Sequence, residues 1–271
     1  MTVVSFASLK GAPGVTTTAC LVGATWPIGH RVMIAECDPA GGDLAARFAL
    51  SSQRGWPSFV TAVRRGGSAV SVIPHLQQLP GGLDVLVGTH APRTADAERS
   101  PTALLAAASL ADGGGIDVLV DVGRLHDATG HSAGWLDCSD VVALVLGTDA
   151  ASVLHVHEHA EGLRDRLRER IGLVLVAGGS HRAAEVEQFV GIPVIGELPY
   201  DAGAAAVATG TVLGRRRLAR SRLTSCARQL AEALVARSAS PQVRARTSEP
   251  ETETVPPDHD VPDQERHEVL R

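Results

Sequence analysis

The feature that most constrains this chain is a repeated alternation of short Val/Ile/Leu-rich runs with stretches of helical pattern. The apolar runs fall at residues 2–8, 31–35, 83–87, 116–120, 140–146, 172–177 and 193–198. Most lack polar alternation, the pattern of strands covered on both faces. Between them, residues 16–24, 43–50, 57–65, 102–110, 151–170, 183–190 and 202–208 read as helices. This order predicts an α/β fold, a doubly wound, mostly parallel sheet with helices on both faces. Ligands of such sheets sit beyond the carboxyl ends of the strands, so chemistry is expected there.

Composition narrows the field. The chain has 271 residues, 44% hydrophobic and 20% charged, which describes a globular body rather than a fibrous or disordered one. Aromatic residues at 3% argue against a single-strand nucleic-acid binder built on stacking platforms. Cys20, Cys37, Cys138 and Cys226 form no C-x-x-C pair. Their scatter disfavours a zinc ribbon or disulfide scaffold and suits a reducing cytoplasm. No apolar run has the length of a membrane span, and the N-terminus lacks the basic region of a signal peptide. Composition shifts once, near residue 240. Residues 241–271 hold five prolines and eight acids against four arginines, and are expected to form a disordered acidic tail after a single domain over residues 1–240. Of the 25 basic residues, 24 are arginine; the only lysine is Lys10.

That lysine opens the loop after the first strand, Lys10-Gly11-Ala12-Pro13-Gly14-Val15-Thr16-Thr17. A glycine-containing loop running from strand to helix can surround a phosphate with backbone N–H groups. Thr16 and Thr17 supply hydroxyls where a Mg²⁺ ligand and a further phosphate contact are needed. Turn chemistry alone also explains the Gly and Pro. Two other strand ends strengthen the phosphate reading. The second strand ends in Glu36-Cys37-Asp38-Pro39, and the fourth in Asp121-Val122-Gly123. An acid after an apolar strand holds the Mg²⁺ water shell in P-loop nucleotidases. Asp43 is expected simply to cap the following helix.

Together these residues resemble the ParA/MinD family of deviant-Walker-A P-loop ATPases, and more narrowly its actinobacterial MinD-like members. The resemblance rests on Lys10-Gly-x-x-Gly-x-Thr16-Thr17, Glu36-x-Asp38-Pro39 and Asp121-Val-Gly123, and extends to Leu198-Pro199-Tyr200-Asp201. It implies ATP and Mg²⁺ as ligands, with residues 11–17 (Gly11, Ala12, Pro13, Gly14, Val15, Thr16, Thr17) binding nucleotide. It implies that Lys10 reaches a partner's phosphates across a nucleotide-sandwich homodimer and that Thr16 ligates Mg²⁺. Asp38 would orient the attacking water, and Asp121 would hold Mg²⁺ through water. The implied function is a cytoplasmic, nucleotide-dependent switch that positions a partner or cargo. Chromosome partitioning, division-site placement and pilus or secretion assembly all suit it.

The chain departs from the family at Val15, where the family loop has a second lysine, and Pro13 removes one N–H donor. Losing one contact to transferred phosphate charge costs on the order of 3 kcal/mol, roughly a hundredfold in rate. Arg124 is the nearest replacement by sequence, although an ordinary surface arginine is the favoured reading. Hydrolysis is thus left open, and a non-hydrolysing scaffold acting through protein partners is the alternative. A kinase or metabolic enzyme on the same fold is weaker, given a single tyrosine and no cysteine pair.

Two other features stand out. His155, His157 and His159 share one helix, with His155 and His159 at metal-ligand spacing; solvated or half-buried side chains are the favoured reading. Residues 214–237 carry seven arginines against one acid, Glu232, with Leu223, Cys226, Leu230 and Leu234 forming an apolar stripe. A C-terminal helix docked on the sheet follows. Arg215, Arg216, Arg217, Arg220 and Arg222 then form a basic patch able to meet DNA phosphates or anionic lipid, making nucleoid or membrane association a further expectation.

Overall fold

The computed structural model describes residues 1–10, 14–66, 70–88, 100–111, 115–125, 131–208 and 218–240. Gly11, Ala12, Pro13, Arg215, Arg216, Arg217 and the expected acidic tail lie outside the described residues.

Eight strands form one sheet: β1 (Val3–Ser8), β2 (Val32–Glu36), β3 (Gln77–Gln78), β4 (Asp84–Leu86), β5 (Asp117–Arg124), β6 (Val141–Gly147), β7 (Ile171–Val176) and β8 (Val194–Leu198). Their order is β3-β4-β2-β5-β1-β6-β7-β8. Every pairing is parallel except β3 with β4. The helices are α1 (Val15–Ala24), α2 (Leu44–Arg47), α3 (Trp56–Gly66), α4 (Pro101–Ser109), α5 (His131–Cys138), α6 (Ala150–Leu167), α7 (Ala183–Val190), α8 (Ala202–Ala208) and α9 (Arg222–Ser238).

The inner strands are buried on both faces, the edge strands β3 and β8 are only partly covered, and the two faces carry separate apolar layers. One packs Trp56 and Phe59 of α3, Leu104 of α4, Trp135 of α5, Val156 and Leu163 of α6 and Val186 of α7 against the sheet. The other packs Leu21 of α1, Leu44 of α2, Ala204 of α8 and the α9 stripe of Leu223, Leu230 and Leu234. Cys226 flanks that stripe as a partly buried neighbour. The expected doubly wound architecture is therefore present.

Local signals account for several helix starts. Ser100 accepts from Ala103 N, with Pro101 in the first turn of α4. Asp149 and Ser221 do the same for α6 and α9, accepting from Ser152 N and Thr224 N. Several details differ from expectation. β3 and α5 were not expected. Helix α2 spans only four residues, because Phe48 leaves helical geometry and Ala49 takes φ +53°. Asp43 precedes α2 without capping it: its side chain makes no cap hydrogen bond and instead accepts from Arg47 at 2.7 Å. Among the described residues, no helix is long and apolar enough to cross a membrane.

Candidate functional site

β1 lies between β5 and β6: the chain leaves β1 toward β2 on one side and later crosses from β5 to β6 on the other, so the strand order reverses around β1 and a crevice opens at its carboxyl end. The chain enters α1 at Gly14, which adopts a left-handed φ of +106° where a side chain is strained. The pairing of β1 with β5 shifts register between Phe6 and Ala7. Beyond that shift Ala7 and Ser8 face Gly123 and Arg124.

A cavity of about 200 Å³ occupies this crevice, lined among others by Ser8, Thr16, Thr17, Asp38, Arg47 and Arg124. Its acids are tightly built in. Thr16 hydrogen-bonds the Asp121 carboxylate, which also accepts from Gly123 N at 3.1 Å. Burial pushes the Asp121 carboxyl up to about 7; the Thr16 bond opposes this, and the negative charges of Glu36 and Asp38 add to it. Gly123 holds φ +67°, and a Cβ there would collide with the Asp38 carboxylate. Asp38 and the strand bearing Asp121 are therefore pressed together at a glycine.

Glu36 has a different environment. Its Oε1 accepts from Asp43 N and Leu44 N, each at 2.9 Å, and its Oε2 accepts from Gly88 N at 2.8 Å. It is 2% exposed, and burial raises its pKa against the pull of those three donors. Glu36 thus does the capping expected of Asp43, and ties α2 to the end of β4.

The expected positive groups are distributed unexpectedly. Lys10 is exposed and is not among the residues lining the cavity. Its charge acts on Asp149 at the start of α6, a minor influence beside the Ser152 hydrogen bonds that lower that carboxyl. Val15 lines the cavity but is 6% exposed and belongs to the apolar layer around α1. Two guanidinium groups reach the cavity instead. Arg124 donates through Nε to Leu9 O at 3.3 Å, and Arg47 pairs with Asp43. Arg47 escaped sequence reasoning; the only signal was a basic residue one turn after an acid-rich strand end. Arg220 and Arg222 are exposed at the start of α9.

A second cavity, of about 310 Å³, shares Gly14 and Thr17 with the first. It is mainly apolar, with Leu21, Leu198, Pro199, Tyr200 and Ala205 among its walls. Asp201 accepts from Ala204 N at 2.9 Å and so caps α8 beneath it.

The donor set at the first cavity fits a magnesium nucleotide. It offers hydroxyl and carboxylate oxygens, the ligands hard cations take, with Asp121 buried beside the acidic Glu36 and Asp38 and hydrogen-bonded to Thr16.

The architecture defined here is that of the P-loop nucleotidase fold. No family model matches the sequence, and no curated protein matches it. Solved structures do match. A ParA family ATPase from Chlorobium tepidum is 17% identical, with TM-score 0.67, covering 85% of this chain and 98% of its own. MinD in the MinC:MinD cell division complex of Aquifex aeolicus is 14% identical, with TM-score 0.66, covering 87% and 96%. The septum site-determining protein MinD from Pyrococcus horikoshii, complexed with Mg-ADP, is 14% identical, with TM-score 0.62, covering 86% and 95%. This chain has the fold of the ParA/MinD ATPases.

Proposed function

We propose that this chain is an ATP-binding, nucleotide-dependent dimerising switch of the ParA/MinD type that positions a partner or cargo. The observation that carries the reading is the meeting of Thr16 and Asp38 in the lining of one phosphate-sized cavity at the end of β1, with the buried Asp121 carboxylate hydrogen-bonded to Thr16 behind it. The adjoining apolar cavity suits the base and ribose, with the exposed Tyr200 ring offering a stacking face.

In this reading Mg²⁺-ATP brings the transferable phosphoryl group. Gly11, Ala12, Pro13, Gly14, Val15 and Thr17 would contact the phosphates, Thr16 would ligate the Mg²⁺ ion, and Asp121 would hold it through water. Asp38 orients the water that attacks. Arg47 and Arg124 supply cationic charge that Val15 cannot, as arginines do in phosphoryl transfer. Lys10, exposed and not among the residues lining its own cavity, reaches a partner's phosphates in a homodimer. The protein acts in the cytoplasm, in chromosome partitioning, division-site placement, or pilus or secretion assembly. Arg215, Arg216, Arg217, Arg220 and Arg222 provide contact with DNA or anionic membrane.

A second reading is favoured by the burial of Val15: a pseudo-ATPase scaffold that binds nucleotide without turning it over. Thermal melting and phosphate release measured on one purified sample separate the two. A rise in melting temperature with Mg²⁺-ATP plus phosphate release supports the switch. A rise without release selects the scaffold. No rise at millimolar nucleotide overturns both.

A further inference from the structure

Outside the nucleotide cavity, the clearest cluster of ligand-bearing side chains lies on α6. His155, Glu158 and His159 each present one ligand atom, and these atoms lie within 4.8 Å of one another. Two histidines four residues apart are equally at home on a solvated helix face, but two further observations set this trio apart. The first is Glu158, whose carboxylate joins the pair from position i+3. The second is that His159 Nδ1 hydrogen-bonds the His155 carbonyl oxygen at 2.9 Å. A carbonyl oxygen only accepts, so Nδ1 carries the proton and Nε2 keeps its lone pair. Metal-ligating histidines are held in this way, the second nitrogen tied to a backbone carbonyl. The two rings lie 4.8 Å apart, tilted at 45° rather than stacked.

We propose that His155, Glu158 and His159 form a binding site for zinc or a closely related divalent ion. Two imidazole nitrogens and one carboxylate oxygen suit late first-row metals, whereas Mg²⁺ and Ca²⁺ take all-oxygen shells. Tetrahedral zinc with bonds of about 2.0–2.1 Å holds its ligand atoms about 3.4 Å apart. His155 is half-buried and Glu158 and His159 are exposed, so closing from 4.8 Å to that spacing asks only for adjustment of side-chain torsions on a solvent-facing helix surface. Three ligands from one helix leave a coordination position open, for water or for a donor atom of another molecule. The site lies roughly 9–15 Å further along α6 than Asp149, at 1.5 Å per residue. None of the three residues is among those lining the phosphate cavity, and the site's occupancy does not depend on the nucleotide reading.

The test is titration of the nucleotide-free, untagged full chain with Zn²⁺ by calorimetry, and with Co²⁺ by visible spectroscopy. The expected result is a site of unit stoichiometry whose Co²⁺ spectrum lacks thiolate charge transfer. Affinity should fall about tenfold or more in His155→Ala and in His159→Ala. It should be unchanged in His157→Ala, whose ring stacks on Phe189 at 4.2 Å instead. Undiminished binding in the His155→Ala/His159→Ala double variant overturns the proposal, as does an equal loss in His157→Ala. Absence of binding at millimolar Zn²⁺ overturns it as well.

Discussion

A methyl group added to Gly123 would collide with the Asp38 carboxylate, and the residue sits at φ +67°. Gly123→Ala is therefore expected to cost about 1–3 kcal/mol, through strain and a displaced Asp38. Chemical denaturation checks the cost, and Mg²⁺-ATP affinity should fall in the same variant. Val15 gives the complementary experiment. It faces both the apolar layer and the cavity, so Val15→Lys has a route for its ammonium to the phosphates. We expect phosphate release to rise by up to roughly a hundredfold; an unchanged rate would mean that the site is disabled elsewhere. Neutralising Arg47 or Arg124 to Ala should weaken Mg²⁺-ATP binding, read as a smaller thermal shift.

The elements show what sequence pattern reaches and where it stops. Seven of the eight strands were legible, most of them because double-sided burial demands continuous Val, Ile and Leu; β8, a half-buried edge strand, was legible as a short apolar run. β3 has only two residues and is defined by its antiparallel pairing with β4, which no local signal reports. Helix α5 was missed because Gly134 and its polar neighbours read as a loop; burial of Trp135 and Leu136 holds it in place. Helix α6 ends at Leu167, short of expectation, because Arg168 takes φ +51° and a 3₁₀ turn follows. The acids of the site were legible as strand-end residues, but their division of labour was not. That Glu36 spends its oxygens on three backbone donors, while Asp43 only pairs with Arg47, depends on distant Gly88. The contrast is measurable by urea unfolding. Each buried donor left unmatched costs about 1–3 kcal/mol, so Glu36→Ala should destabilise by on the order of 3 kcal/mol or more. Asp43→Ala loses an exposed ion pair worth about 1 kcal/mol or less.

For the whole molecule, two apolar layers enclose the sheet, and α9 closes the second of them through Leu223, Leu230 and Leu234. Residues 1–240 should therefore fold without the acidic segment. A chain ending at residue 240 is expected to melt within a few degrees of the full chain, by calorimetry. If the proposed dimer forms, Mg²⁺-ATP should roughly double the apparent mass in light scattering, and Lys10→Ala should abolish that change.

The three hydrogen bonds of Glu36 have a mechanical consequence. Because one carboxylate clasps the first turn of α2 and the end of β4 together, Arg47 rides on a segment bolted to the sheet. If Arg47 meets phosphate as proposed, a displacement of α2 is expected to reach Gly88, more than forty residues away in sequence. The end of β4, one strand in from the sheet edge, and the start of α2 are thus held together, with Glu36 as the pin between them.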